Sequence, residues 1–310
     1  MSVEVKEISY ENYGKCVQIS NGVVDVAVTI ERGPRIIRLG FVEEANVLYN
    51  DLERRHVYRD EKILARYGQE AAYYCYGGHR VCLSPEKMPE TYSPDNGPVV
   101  YGIGAEGVSF TPARQKQNEM QLGFQVLMSE DAKDIMVVHT AKNVSREKQA
   151  FALSAITMMP SGGTVVIPLN TDGAKPEHPN RTIALWPGTG FQDPRLSVTD
   201  RFITLRHEPA GESPVRLGTN DAPGWVAFWK DGHTLLKRFV HNAQAVYADF
   251  GCSCECALCG DYTDIRSLSP FYGLEPGEGI RHVENISLFR TPEPPAPEDD
   301  AVQAFFDRLK

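Results

Sequence analysis

The residues whose spacing points most directly to chemistry lie between positions 251 and 259, where four cysteines surround Glu255. In one interpretation the cysteines hold a metal ion, and the last two form a CxxC pair. Structural zinc sites usually join two such pairs across a longer span, however. In the other interpretation the segment is a β-strand, and one face of it carries Cys252, Cys254 and Cys256. The strand is favoured, and it predicts that Glu255 projects from the opposite face into a cleft, with no metal bound.

Glu255 and Asp264 flank the predicted turn at residues 260–262. On the strand interpretation both carboxylates project from the same side of a sheet. A carboxylate in a partly apolar cleft has a raised pKa and can act as a general base. The alternative is a pair of ordinary solvated carboxylates, which is the commoner situation for any single Glu or Asp.

A second candidate group follows two glycines, where His79 and Arg80 stand next to each other. Histidine can donate or accept a proton near neutral pH, and the planar guanidinium of arginine binds hydroxyl or carboxylate oxygens. We therefore take His79 as a candidate acid and Arg80 as a candidate substrate-binding residue. The alternative is a structural turn with an exposed histidine and a paired arginine, since a four-residue motif is weak evidence.

The loop at residues 185–195 offers binding groups of a different kind. Its Trp186 is a flat apolar platform suited to the C–H face of a sugar, and Asp193 and Arg195 could bind sugar hydroxyls. The alternative is that Trp186 packs in the core, where large aromatic side chains are usually found. Asp193 would then only cap the turn at Pro194.

Composition excludes several classes of partner. A net charge of −9 argues against a nucleic acid or an anionic membrane as partner. No uncharged apolar run approaches the roughly 18 residues of a membrane helix, and the first residues are charged, without the apolar core of a signal peptide. Seven cysteines cannot all pair within one chain, which is typical of reduced thiols and predicts a cytoplasmic location.

Short β-like segments separated by turn residues dominate the chain and predict an all-β fold, a large antiparallel sandwich with a few short helices. Asn21-Gly22 between two β-branched runs indicates a hairpin. Helices are predicted only at residues 60–67 and 298–309, the second after a stiff proline-rich linker. We therefore expect one sandwich domain over residues 1–290, followed by a linker and helix over 291–310.

Taken together, the motifs resemble those of the galactose mutarotase-like (aldose 1-epimerase) superfamily, and most closely a little-characterised bacterial branch of it. The resemblance extends to about Phe289. In chain order, the segments that carry it are Gly33-Pro34-Arg35-Ile36, Gly78-His79-Arg80, Pro85-Glu86, Asp95-Asn96, Leu185-Trp186-Pro187, Asp193-Pro194-Arg195, Glu255, residues 261–270 and residues 274–278.

The resemblance implies a concave sugar site and a carbohydrate as the small-molecule ligand, without a cofactor. Mutarotases use a Glu as base and a His as acid. Glu255 matches that Glu, but the strand expected to carry the His reads Ser154-Ala-Ile-Thr-Met-Met159. His79 is the candidate to replace that His. Two functions stay open, an aldose 1-epimerase-like isomerase and a sugar-binding or sensing protein without catalysis. Neither the sugar nor the oligomeric state is indicated.

Overall fold

The structure is a computed structural model that describes residues 2–171, 177–208 and 213–309. The strands are β1 (Glu4–Ser9), β2 (Lys15–Ser20), β3 (Val24–Thr29), β4 (Ile36–Phe41), β5 (Val57–Tyr58), β6 (Tyr73–Tyr74), β7 (His79–Ser84), β8 (Val99–Gly104), β9 (Gly107–Pro112), β10 (Met120–Met128), β11 (Asp134–Asn143), β12 (Gln149–Pro160), β13 (Thr164–Pro168), β14 (Ile183–Leu185), β15 (Leu196–Val198), β16 (Phe202–Arg206), β17 (Val215–Thr219), β18 (Trp225–Lys230), β19 (His233–Phe239), β20 (Cys254–Cys259), β21 (Tyr262–Leu268), β22 (Tyr272–Leu274) and β23 (Gly279–Arg290). The helices are α1 (Glu61–Tyr67), α2 (Ala248–Gly251, a single turn) and α3 (Asp299–Asp307).

Two large antiparallel sheets make up the fold, which confirms the all-β prediction. The first has the strand order β1-β2-β3-β4-β7-β12-β21-β20-β17-β14, with β22 paired to β12. The second has the order β15-β16-β13-β18-β19-β23-β11-β10-β9-β8, and β5 and β6 form a separate small ribbon. The predicted hairpin joins β2 to β3, where the side-chain oxygen of Asn21 accepts hydrogen bonds from the backbone of Val23 and Val24.

The main hydrophobic core lies between the two sheets, because most of the residues that point inward from their strands are apolar. On β20 these inward residues are Cys254 and Cys256, which are fully buried. The strand interpretation is therefore confirmed for Cys254 and Cys256. It is wrong for Cys252, which precedes the strand at the end of α2 and lies beside Gly218, on the side of Glu255. All seven cysteines are free thiols, and burial raises the pKa of both Cys254 and Cys256.

The two predicted helices are present. The side chain of Asp60 caps α1 by accepting a hydrogen bond from the backbone of Ile63. Helix α3 lies on the outer face of the second sheet, where the ring centroids of Phe306 and Trp225 are 4.5 Å apart. The C-terminal helix thus covers its own sandwich. No helix within the described ranges has the length and apolar character needed to cross a membrane.

Candidate functional site

The candidate site is a small cleft on the face of the first sheet that points away from the second sheet. It is formed over the neighbouring strands β7, β12, β21, β20 and β17. Because side chains alternate along a strand, Glu255 points outward into the cleft while its neighbours Cys254 and Cys256 point into the core. Arg216 and Arg266 reach the cleft from the strands on either side of β20.

Glu255 lies at the bottom of the cleft and is only 2% exposed. One carboxylate oxygen, Oε2, accepts a hydrogen bond of 2.9 Å from Nη2 of Arg216 and lies 4.0 Å from Nη1 of Arg266. The other oxygen, Oε1, has no partner among the described residues. Burial raises the pKa of Glu255 to about 7, despite the opposing effect of the two arginines. A carboxyl group with this pKa can accept or release a proton near neutral pH.

Glu86 closes the mouth of the cleft by binding both arginines. Its Oε2 accepts hydrogen bonds of 2.8 Å from Nη1 of Arg216 and 3.1 Å from Nη1 of Arg266, and its Oε1 accepts one from the Tyr92 hydroxyl. Burial opposes ionisation of Glu86, but Arg266 and Arg216 outweigh it and lower the pKa of Glu86 to about 2. Glu86 is therefore a fixed anion at neutral pH, whereas Glu255 is near its titration midpoint.

Two further charged residues, Arg80 and Asp264, lie at or beside the cleft. Asp264 accepts a hydrogen bond of 2.7 Å from Nη2 of Arg266, and its Oδ1 has no partner in the described part of the chain. Arg80 is 7% exposed, and its guanidinium lies 5.1 Å from the ring centroid of Tyr73. Within residues 2–171, 177–208 and 213–309, nothing forms an ion pair with Arg80, and its Nε lacks a hydrogen-bond partner.

Trp186 lies at the side of the cleft. Its indole ring is half-buried outside the main core and packs against the guanidinium of Arg216, 4.3 Å from the ring centroid. Such a stack holds Arg216 in place while leaving its N–H groups free to bind oxygens in the guanidinium plane. Phe191 of the same loop is 57% exposed and does not line the cleft.

Polar atoms without a partner are concentrated around this cleft. Among the described residues, 14 buried side-chain nitrogen or oxygen atoms lack a hydrogen bond, and seven of them belong to residues that line the cleft or contact a lining residue. Those residues are Tyr73, Arg80, Ser154, Arg216, Glu255, Asp264 and Arg266. Since buried polar groups are nearly always hydrogen-bonded in proteins, these atoms are expected to meet water or a polar ligand in the cleft.

His79 does not lie in this cleft. It precedes Arg80 on β7 and so points into the space between the sheets, where it is 1% exposed. Its Nε2 is 3.1 Å from Nε2 of His139 and 3.4 Å from Oε2 of Glu284, both on the second sheet. The alternation of side chains along β7 therefore separates His79 from Glu255, and the prediction that these two residues act together at one site is not supported by their placement.

Asp193 and Arg195 do not reach the cleft either. They bind each other, with Nη2 of Arg195 2.7 Å from Oδ2 of Asp193. Oδ1 of Asp193 also accepts a hydrogen bond from the Arg195 backbone across Pro194. Asp193 thus has the turn-capping role that was the alternative to sugar binding. Of the residues singled out in the sequence, Glu255 and Arg80 line the cleft. Asp264 and Trp186 lie next to it, where they contact Arg266 and Arg216.

One set of described residues has the spacing of metal ligands, namely His79, His139 and Glu284 in the interior. The ammonium of Lys237 is 2.7 Å from the other oxygen of Glu284 and is fully buried. It already balances the carboxylate charge, so a divalent cation there would add uncompensated positive charge to a dry region. We therefore treat this set, with Thr157, Ser267 and His282, as a structural hydrogen-bond network, called the interior network below.

The sequence analysis did not assign Glu86, Tyr92, Arg216 or Arg266 to the site. For Arg266 a signal was present, because it follows Asp264 by two residues and therefore shares its face of β21. Arg216 carries no comparable signal, since only the pairing of β17 with β20 places it beside Glu255. Glu86 and Tyr92 lie on a connection whose path over the sheet is not encoded in any local pattern.

Comparison with known proteins supports the fold. No protein-family model matches the chain, and no curated protein matches it in sequence. Among solved structures, a TPR-domain containing protein from Parabacteroides distasonis is similar with a TM-score of 0.60 and 16% identity, over 90% of this chain and 47% of that one. This chain therefore spans about half the length of that protein.

Two further structures are similar over most of both chains. A candidate aldose 1-epimerase from Klebsiella pneumoniae has a TM-score of 0.59 and 11% identity, with 98% of this chain and 87% of that chain covered. A galactose mutarotase-like protein from Lactobacillus casei has a TM-score of 0.55 and 10% identity, with 88% and 100% covered. At these identities the likeness concerns the fold alone, a sandwich of two antiparallel sheets that this chain shares with those structures.

Proposed function

We propose that the protein binds a carbohydrate in the cleft around Glu255 and catalyses its anomeric interconversion, as an aldose 1-epimerase does. The observation that carries the proposal is the concentration of unpartnered polar atoms in this cleft. A sugar ring presents many hydroxyl groups, each of which donates and accepts hydrogen bonds, and so suits a site with both donors and acceptors unsatisfied. The superfamily fold and the neighbouring candidate epimerase agree with the proposal.

In the proposed reaction Glu255 is the general base. Its carboxylate takes the proton of the anomeric hydroxyl while the bond from C1 to the ring oxygen breaks and the ring oxygen gains a proton. The open-chain aldehyde then rotates and closes on its other face. A pKa of about 7 suits Glu255 to this role because both of its protonation states are populated at neutral pH.

The proton for the ring oxygen comes, in this proposal, from solvent water that enters the cleft with the sugar. Tyr92 is not assigned this role, because burial and the neighbouring Glu86 raise its pKa and its hydroxyl already donates to Glu86. The free volume of the cleft is about 20 Å³, enough for about one water molecule. Entry of a sugar ring therefore requires the segment carrying Glu86 and Tyr92 to move outward from Arg216 and Arg266.

A second candidate function is sugar binding without catalysis. The observation that favours it is that no histidine lines the cleft within the described ranges, and His79 faces the interior network instead. A protein of this kind would bind its sugar through the same unpartnered groups, but the interconversion of anomers would run no faster than in buffer.

Exchange NMR on a panel of aldoses and uronic acids with catalytic amounts of protein tests the proposal. Faster exchange between α and β anomers is expected for at least one sugar. We expect Glu255→Gln to slow it by about 10²- to 10⁴-fold, since the amide cannot accept the proton. The control is Glu293→Gln, an exposed residue in the proline-rich linker. Sugar binding without faster exchange in the wild-type protein would favour the second candidate, and unchanged exchange in Glu255→Gln would contradict the role of Glu255.

The branch of the superfamily and the cellular location are part of the same proposal. The motifs beginning with Gly78-His79-Arg80 suggest membership of the little-characterised bacterial branch. The seven free cysteines suggest a reducing compartment, and hence the cytoplasm.

A further inference from the structure

We infer that the ligand of the cleft is an acidic sugar whose carboxylate is bound by Arg80. This inference rests on the proposed function, since it names the chemical class of the sugar. It starts from a difference between the three arginines of the cleft. Arg216 is paired with Glu255 and Glu86, and Arg266 is paired with Asp264 and Glu86. Arg80 has no carboxylate partner within the described ranges.

The burial of Arg80 makes its lack of a carboxylate partner energetically important. Arg80 is 7% exposed, and its guanidinium contacts the face of the Tyr73 ring, at 5.1 Å. An aromatic face attracts a cation but does not neutralise it, and a buried charge without a partner is costly to the folded state. A ligand that supplies the missing negative charge would remove this cost, since buried charges are normally paired.

The remaining acids of the cleft are not free to serve Arg80. Glu86 binds both other arginines in the closed cleft, and when it moves outward those arginines keep Glu255 and Asp264 as partners. Asp249 lies on the side of Glu255, whose pKa it helps to raise. A neutral sugar could supply hydroxyl oxygens to Arg80 but no charge. A carboxylate supplies both, and its two oxygens match the planar donor pair of the guanidinium.

The position of Arg80 fits a carboxylate attached to a sugar ring. Arg80 and Glu255 line the same small cleft, with Ser154 and Ile156 of β12 forming part of its floor. The hydroxyl of Ser154 is also without a partner among the described residues. A sugar whose anomeric hydroxyl meets Glu255 can therefore place its carboxylate at Arg80, with a ring hydroxyl over Ser154.

The test compares sugars that differ only at C6, by isothermal titration calorimetry with galactose against galacturonate and glucose against glucuronate. We expect the acid of at least one pair to bind the wild-type protein ten-fold or more tightly than its neutral partner. In Arg80→Gln this preference should fall below two-fold, because the acid loses a charged partner that the neutral sugar never had. Arg238→Gln, an exposed arginine of the second sheet, is the matched control and should leave both affinities unchanged.

The outcomes separate this inference from the proposed function. Equal binding of acid and neutral sugar to the wild-type protein, or an acid preference that survives in Arg80→Gln, overturns the acidic ligand but leaves a sugar site. Binding of none of the four sugars overturns both. Galactose 6-phosphate binding more tightly than galacturonate would replace the carboxylate by a phosphate and so contradict the inference. Because Arg80→Gln removes an unpaired buried charge, its melting temperature should equal or exceed that of the wild type, which checks the fold.

Discussion

The cleft around Glu255 and the interior network around Glu284 lie on opposite faces of the same sheet, and each centres on a buried glutamate. In the interior network both oxygens of Glu284 are occupied, by Lys237 and Ser267 on one side and by His139 on the other. In the cleft one oxygen of Glu255 has no partner among the described residues. Similar residue types thus serve two purposes. In the interior network the fully bonded glutamate ties the two sheets together. In the cleft the glutamate keeps one oxygen available for the ligand that we propose.

The pKa values of Glu284 and Glu255 are shifted in opposite directions. Lys237 and the histidines around Glu284 lower the pKa of that carboxyl, despite complete burial. Glu255 accepts only one hydrogen bond from Arg216 and lies 4.0 Å from Arg266, so burial prevails there and the pKa of Glu255 rises. Glu86 accepts hydrogen bonds from the same two arginines, and its pKa falls. How closely the nearby cations bind a carboxylate therefore matters more than their number.

The largest expected effect is in the interior network. Lys237→Met should lower the free energy of unfolding by about 3–5 kcal/mol, because it leaves Glu284 buried without its cation. Arg80→Gln is the counterpart in the cleft and should change stability by less than about 1 kcal/mol, since no ion pair is lost. Urea unfolding followed by circular dichroism measures both. Equal losses of stability in the two variants would contradict the distinction between the two regions. The double variant Lys237→Met/Glu284→Leu should regain much of the stability lost in Lys237→Met.

The next effect is a pH dependence that comes from Glu255. Its pKa is raised from 4.5 to about 7 on folding, so between these values the native state holds a proton that the unfolded state has released. Stability from this group is therefore present below pH 4.5 and is lost as pH rises towards 7, by up to about 1.4 kcal/mol per pH unit. The free energy of unfolding, measured against pH over this range, should fall less steeply for Glu255→Gln than for the wild type. Parallel curves would show that Glu255 titrates normally.

The smallest effect concerns the edge of the cleft. Trp186→Ala should weaken sugar binding by about three- to thirty-fold, because Arg216 loses the ring that holds its guanidinium. Calorimetry with the best-bound sugar measures it, and Phe191→Ala in the same loop should have no effect. Equal losses in the two variants would mean that the loop as a whole, rather than the contact with Arg216, supports binding.

The sequence was sufficient for the features that depend on local periodicity. Alternation placed Glu255 opposite Cys254 and Cys256, and the apolar stripe of residues 302–309 predicted the C-terminal helix that covers the second sheet. The interior network also has a local signal, which the sequence analysis missed. On β23, His282 and Glu284 share a face with the apolar Ile280 and Ile286, and polar residues at such positions indicate a buried network.

What could not be predicted depends on contacts between distant parts of the chain. The partners of His79 are 60 and more residues away along the chain, so its inward direction was not visible from Gly77 and Gly78. Likewise, Glu86 meets Arg216 across 130 positions. Contacts of this kind depend on the order of strands in the sheets, and strand order is a property of the whole fold.

The burial of the cysteines affects how reversibly the protein unfolds. In the folded chain, burial raises the pKa of Cys16, Cys75 and Cys259 as it does for the cysteines of the core, and protonated thiols are poor nucleophiles. The native fold is thus its own protection against oxidation. Unfolding exposes seven thiols with ordinary reactivity, so heating in air should end in mispaired disulfides, whereas the same transition in a reducing buffer should reverse on cooling.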